Sequence, residues 1–157
     1  MSSESISRIA TSMIEASLRV PKSYKKALPV VMPLAKQFWE AATKHELVLQ
    51  KCSKCSTYQW FPKPWCINCG CRELNWTKVS GRGQVYSYVV IRQVVQNTSA
   101  FDEDLPYVLA TIELDEGPRM VAQLTGVVPE EVKIGMNVIV TFVDATSEVS
   151  IPKFKRA

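Results

Sequence analysis

The sequence predicts a mainly β protein preceded by N-terminal helices, and three observations predict it. Two C-x2-C pairs, Cys52 with Cys55 and Cys66 with Cys69, stand ten residues apart. From residue 84 onward the apolar residues fall into β-branched and aromatic runs separated by turn-forming residues. Before residue 45 they recur at helical spacing instead.

Ile6, Ile9, Met13, Ile14 and Leu18 lie on one face of an amphipathic helix, which packs either on its own chain or on a partner. Pro21, Pro29 and Pro33 punctuate the linker that follows, so it is not one continuous helix. A second helix spans about 34–44, with Leu34, Phe38 and Ala41 or Ala42 along one side. Phe38 and Trp39 are adjacent, hence about 100° apart around that helix, so one packs inward while the other covers a groove or a partner. Residues 47–49 form a short strand leading into the first cysteine pair. Tyr58, Trp60 and Phe61 lie between the pairs, and Leu74, Asn75 and Trp76 follow the second. Strands are then expected over 84–95, 107–114, 119–124, 137–143 and 149–151, with Asp115-Glu116-Gly117-Pro118 as a tight turn. Ser80-Gly81-Arg82-Gly83 marks a boundary, dividing the chain into N-terminal helices and linker (1–45), a cysteine module (46–79) and a β domain (80–157). Five strands in that last segment, the first long and curved, suit a small closed barrel of the OB type.

Each C-x2-C pair makes a turn whose two sulfurs converge, and two such turns complete a tetrahedral S4 site, the arrangement of a rubredoxin-like zinc ribbon. Cys52, Cys55, Cys66 and Cys69 are therefore the expected metal ligands. Close pairing in a chain of five cysteines fits a metal better than a disulfide framework. A rubredoxin-type iron takes the same ligands, so zinc is assigned on its prevalence. Gly70, directly after Cys69, supplies the positive φ that a metal knuckle uses, while Ser56 in the equivalent place fits less well. With four protein ligands no coordination position is open, which makes the site structural. Cys71 is the spare cysteine, either a bystander or a redox and ligand-swapping residue.

The 157 residues are 46% hydrophobic and 22% charged, the profile of a globular protein. No apolar run approaches the roughly 20 residues needed to cross a bilayer. The opening Met-Ser-Ser-Glu lacks a basic n-region, and Arg8, Ser12 and Glu15 interrupt the apolar residues behind it. An amphipathic transit peptide is less clearly excluded, but the expected location is cytoplasmic. The net charge of +4 is unevenly spread, basic up to Ser80 and acidic beyond it. Zinc ribbons and OB barrels both occur in nucleic-acid binders, and Val85, Tyr86, Tyr88 and Val90 offer stacking surfaces, so single-stranded nucleic-acid binding is the alternative function. The acidic second half argues against it. Independent catalysis is not indicated. His45, the single histidine, ends a helix with no Ser or Cys nearby in sequence. Asp102-Glu103-Asp104 reads as a solvated loop, and Gly81-Arg82-Gly83 lacks the remainder of a phosphate-binding motif.

A set of ordered motifs adds to this reading: Phe38-Trp39-Glu40, the segment from Glu46 to Cys52, the four cysteines, Phe61-Pro62-Lys63-Pro64 and the segment from Ser80 to Tyr88. Pro106-Tyr107, the segment from Glu113 to Pro118, Ile134-Gly135-Met136 and Pro152-Lys153-Phe154 continue it. By these motifs the chain, from about Pro33 on, resembles the zinc-ribbon/OB-fold family associated with acyl-CoA metabolism, long catalogued as a domain of unknown function. Ser56 departs from the glycine common there. The resemblance implies a non-catalytic accessory subunit of a thiolase-fold enzyme. Such partners are acetyl-CoA acetyltransferase paired with hydroxymethylglutaryl-CoA synthase, or an aldolase that cleaves steroid side-chain CoA esters. The small protein bridges subunits and helps hold the CoA moiety, and the nucleophile belongs to the partner. An acyl-CoA ligand asks for cations near its phosphates and apolar faces for adenine. Lys36, Trp39, Arg82, Lys153 and Phe154 are the expected contacts, with Lys155, Arg156, Trp60 and Trp65 as further candidates.

Overall fold

A computed structural model describes residues 24, 26–93 and 104–157. The expected helix over Ile6 to Leu18 lies outside them. Pro33 opens a 3-10 turn, Pro33–Ala35, which runs directly into helix α1, Lys36–Ala42. Proline suits this place because a first-turn N–H has no intrahelical partner anyway. The inward stripe is Ala35, Phe38 and Ala42, whereas Leu34 is exposed. Phe38 and Ala42 of the expected stripe are buried as expected, and only Leu34 gives way to Ala35, because it lies in the 3-10 turn before the α-helical phase begins. Phe38 packs inward and Trp39 is half-buried beside it, ring edge to face at 5.2 Å. Three residues past the helix, His45 has a φ of 57° that turns the chain away from the helical path, and its N–H donates to the Ala42 carbonyl.

Strands β1 (Val48–Cys52), β2 (Tyr58–Gln59) and β3 (Leu74–Lys78) form a three-stranded antiparallel sheet with β1 in the centre. The sequence pattern showed the first of these and missed the other two. Strands β4 (Arg82–Ile91), β5 (Tyr107–Leu114), β6 (Arg119–Leu124), β7 (Asn137–Asp144) and β8 (Ser150–Arg156) close a barrel in the order β4-β5-β6-β8-β7. The OB barrel is therefore present. Its first strand begins and ends earlier than expected, and residues 94 and 95 fall outside the described segments. A register shift between Val85 and Ser87 bends this strand. Its last strand is longer than expected, because Ser150–Arg156 pairs with β7 along its whole length. Barrel closure between β6 and β8 rests on a single parallel pair, Leu124 with Phe154.

Alternation puts Val108, Ala110, Ile112 and Leu114 of β5 inside, together with Val85, Met120, Leu124, Val138 and Phe154. The same cluster continues through Val79, Val48, Leu49 and Leu47 to Phe38, so helix, ribbon base and barrel share one core. Gly83 permits the β4–β5 crossing at its tightest point: a Cβ there would lie 2.4 Å from the Glu113 carbonyl oxygen. His45 Nε2 lies 2.8 Å from Asp144 Oδ1, and its ring stacks on Phe142 at 5.4 Å, tying the helix end to β7. Among the described residues no helix is long and apolar enough to cross a membrane.

Candidate metal centre and ligand cleft

The two cysteine pairs fold into matching turns. Ser56 N–H donates to the Cys52 carbonyl and Gly70 N–H to the Cys66 carbonyl, both at 3.0 Å. The Cys52 N–H reaches the Thr57 carbonyl as the Cys66 N–H reaches that of Cys71. Ser56 and Gly70 both take positive φ, 58° and 72°. The second knuckle has glycine where that conformation is free of strain, and serine adopts it in the first.

These turns bring Cys52, Cys55, Cys66 and Cys69 together, all four sulfurs within 4.8 Å of one another. Cys52 and Cys69 Sγ are 3.6 Å apart, and Cys55 and Cys66 Sγ 3.5 Å. A tetrahedral zinc with Zn–S bonds of about 2.3 Å asks for sulfur separations of roughly 3.8 Å, so the donor set fits the ion. Four thiolates would complete its coordination and leave no position for water or substrate. Cys52 and Cys66 are 1% exposed, Cys55 is half-buried and Cys69 faces solvent. Cys71 Sγ is not among the four and accepts from the Glu73 N–H at 3.4 Å.

Polar groups around the sulfurs favour the ionised state unevenly. The Thr57 hydroxyl, 3.2 Å from Cys55 Sγ, and the Thr57 N–H pull the Cys55 thiol down to about 5. Cys69 goes the other way. The Cys71 N–H lowers it, but Cys55, burial, Cys52 and Cys66 together push it up to about 12. Asn68 supports the arrangement twice, with its N–H 3.4 Å from Cys66 Sγ and its side-chain amide donating to Thr57 Oγ1 at 3.3 Å.

A buried amide pair holds the loop between the knuckles, and residue patterning gave no sign of it. Gln59 and Gln50 are 1% and 4% exposed. Gln59 Nε2 donates to Gln50 Oε1 at 2.9 Å and to the Trp65 carbonyl at 3.2 Å, while its Oε1 accepts the Ile67 N–H at 3.0 Å. Gln50 Oε1 also takes the Lys63 N–H at 2.9 Å. The residues on both sides of Cys66 are thereby tied to β1 and β2 by side-chain amides and not by the sulfurs.

The expected CoA contacts do not converge. Arg82 lines a cleft of about 560 Å³ at the barrel wall with Lys155 and Arg156, facing a single acid, Asp115. Arg82, Ile139 and Lys155 occupy one row across three strands, which puts the two cations on the same outer face. Lys36 lies elsewhere, on α1, paired with Glu40 at 3.6 Å. Trp39 is beside Phe38 and lines neither this cleft nor the adjoining one around Met136. Lys153 is half-buried on β8, outside both clefts. Phe154 is 0% exposed in the barrel core, so both faces of its ring are in protein contact and neither can stack on a ligand. That expectation is corrected: the sequence shows Phe154 beside cations, but alternation turns it inward. Of the nucleic-acid candidates, Val85 is 1% exposed, Tyr86 and Tyr88 are exposed, and one face of the Tyr86 ring carries the Arg119 guanidinium 3.5 Å away.

A triad-like contact near His45 does not activate a nucleophile. Ser150 Oγ donates to Asp144 Oδ1 at 2.5 Å, the oxygen that also meets His45, so the hydroxyl is bound to the acid and not to the base. These bonds, Ser150 first and His45 second, hold the Asp144 carboxyl below the usual aspartate range.

Comparisons with known proteins agree with this architecture. Residues 39–75 match a family model described as the ChsH2 rubredoxin-like zinc ribbon domain, and residues 76–143 match the ChsH2 C-terminal OB-fold domain. A probable enoyl-CoA hydratase alpha subunit of Thermomonospora curvata is 40% identical over 76% of this chain, which spans only 37% of that relative's length. A DUF35 domain-containing scaffold protein of Pyrococcus furiosus is 41% identical over 60% of this chain and 67% of its own. Among solved structures, a chain of the Ltp2-ChsH2(DUF35) aldolase superposes with a TM-score of 0.73 at 34% identity, covering 82% of this chain and 98% of that one.

Proposed function

The chain belongs to the DUF35 family of paired zinc-ribbon and OB-fold domains, and from that premise we propose that it is a non-catalytic, acyl-CoA-binding accessory subunit of a thiolase-fold enzyme. The observation that carries the reading is the cleft walled by Arg82, Lys155 and Arg156, three cationic side chains against one acidic side chain, Asp115. Such a wall suits the phosphates of a CoA nucleotide, because charge-assisted bonds from guanidinium and ammonium groups are the strong ones. The relatives named for a CoA-ester hydratase and an aldolase support the same class of ligand and a hetero-oligomeric setting. Zinc at Cys52, Cys55, Cys66 and Cys69 would act structurally, holding helix and barrel in the geometry a partner needs. Lys36, Trp39 and Lys153 then serve regions of the ligand or partner beyond the cleft, and the reacting nucleophile belongs to the partner.

The test has two parts. Tagged protein expressed with its host's acyl-CoA enzymes is expected to co-purify a thiolase-fold subunit. Calorimetry of that complex with acetyl-CoA is expected to lose at least about ten-fold in affinity for Arg82→Glu with Lys155→Glu, at unchanged zinc content. Salt-sensitive binding to single-stranded oligonucleotides, with no protein partner recovered, would overturn the reading in favour of a nucleic-acid role.

A further inference from the structure

A groove of about 550 Å³ lies where the ribbon meets the β5–β6 turn, and it shares no lining residue with the cleft that carries the CoA reading. Tyr58, Trp60 and Ile67 line it from the ribbon, and Glu113, Glu116 and Pro118 from the barrel. Ile67 is 62% exposed, so apolar surface is open to solvent here. The turn is held by the Gly117 N–H on the Leu114 carbonyl at 2.8 Å and the Leu114 N–H on the Pro118 carbonyl at 3.0 Å. The two carboxylates of the groove are in different states. Glu113 Oε1 accepts Nε and Nη2 of Arg119 at 3.0 and 2.9 Å, so those two charges offset each other. Glu116 Oε1 accepts the Ser80 N–H at 2.7 Å, but its Oε2 is closed to solvent and has no hydrogen-bond partner among the described residues. The lining thus combines an apolar wall with one carboxylate that no cation of the groove offsets. We propose that this groove receives an arginine side chain of the partner subunit.

A carboxylate oxygen withdrawn from water without a donor is unfavourable, and native proteins rarely leave one so. A guanidinium entering the groove supplies donors in a fork that matches a carboxylate, and its planar face and methylene stem pack on aromatic and aliphatic side chains. An ammonium is a compact, strongly hydrated charge and matches the apolar wall less well. The chain itself holds an example of the expected contact. Arg119 bonds the Glu113 carboxylate with its edge and lies over the Tyr86 ring, 3.5 Å from the centroid. Arginine is also enriched at the energetic centres of protein interfaces, beside tryptophan and tyrosine. Because ribbon and barrel both line the groove, an arginine seated there touches both modules at once.

The source of the arginine rests on the accessory-subunit reading above, and the experiment separates the two. Full-length, zinc-loaded, isotope-labelled protein is titrated with the peptide acetyl-Gly-Arg-Gly-amide while amide NMR shifts are followed. Saturable shifts are expected at Tyr58, Ile67, Gly117 and Arg119 below about 20 mM, a range that fills even a millimolar site. Affinity is expected to fall at least about three-fold when the peptide carries citrulline, the uncharged isostere, or lysine instead. Glu116→Gln, which keeps an oxygen for the Ser80 N–H, and Ile67→Ser, at an exposed position, are each expected to weaken the peptide by a similar factor. No saturable shift at those amides, or equal binding of the citrulline peptide, would overturn the proposal. Tighter binding of free L-arginine than of the peptide would overturn a protein source. In the co-purified complex, Glu116→Gln is expected to speed dissociation at least about five-fold, and an unchanged rate would overturn the partner's use of the groove. Peptide binding with no thiolase-fold subunit recovered would uphold the arginine site and count against the accessory-subunit reading alone.

Discussion

Replacing Gln59 with Leu tests whether the metal site is built by the protein before the ion binds. Leucine has a similar volume but makes none of the three bonds of the amide, to Gln50 Oε1, the Trp65 carbonyl and the Ile67 N–H. Two main-chain groups flanking Cys66 are then left unpaired in a site where residue 59 is 1% exposed. At about 1–2 kcal/mol for each orphaned group, the loop loses roughly 2–4 kcal/mol of pre-organisation. That loss must be recovered when the ion orders the loop, so zinc affinity is expected to fall by about 30- to 900-fold, at and above the 10- to 100-fold typical of supporting residues around a metal. Competition with a chromophoric chelator at pH 7.5 measures it, and circular dichroism confirms that the barrel is intact. Zinc affinity within about three-fold of the parent protein, less than 1 kcal/mol, would refute the reasoning and show that the ion alone organises the knuckles.

Three further outcomes follow from features away from that amide pair. Cys52→Ser is expected to lose the metal and unfold the ribbon, since zinc contributes roughly 10–16 kcal/mol to small modules of this kind; one zinc retained per chain by mass spectrometry would contradict the ligand assignment. Gly83→Ala places a methyl 2.4 Å from the Glu113 carbonyl oxygen, so β4 and β5 must separate at a cost of about 1–3 kcal/mol, and an unchanged melting temperature would contradict the close crossing. For Asp144 the sign follows from its lowered carboxyl. The folded state binds this proton less readily than the unfolded state, so stability is present above the usual aspartate range and is lost as pH falls below it. Asp144→Asn is therefore expected to lower stability at neutral pH and flatten the acid limb of a denaturation series. The effect is below about 1 kcal/mol because the side chain is 41% exposed and screened; an acid limb identical to the parent's would refute it.

The cysteine site was legible because its information is local. Four residues at fixed spacing, with Gly70 behind the last, specify both knuckles without reference to the rest of the chain. The barrel strands were legible where one face is buried, as in Tyr107–Leu114 and Arg119–Leu124, whose alternation survives intact. Legibility failed where a polar residue is buried or an apolar one is displaced. Gln50 and Gln59 read as surface residues in any pattern, and their partnership appears only once β1 and β2 pair. Pro152, Lys153, Lys155 and Arg156 disguised the last strand, yet Phe154 at its centre is an inward core residue. The His45–Asp144 contact spans 99 residues, and no local signal joins its ends. The ligand cleft is a mixed case. Each of its cations was visible, but only cross-strand register decides that Arg82 meets Lys155 while Lys36 and Lys153 lie elsewhere.

The two knuckles present their sulfurs unequally, the first cysteine of each pair sealed and the second turned outward. A centre of this shape has a leading and a trailing side in time. Competing chelators and oxidants would meet Cys69 first and Cys55 next, while Cys52 and Cys66 would hold a bound ion from the sealed side. Those two anchor sulfurs come from different knuckles, and while they hold, the loop cannot drift away. The uneven exposure would make the sealed pair, Cys52 and Cys66, the last of the four sulfurs open to attack from solvent.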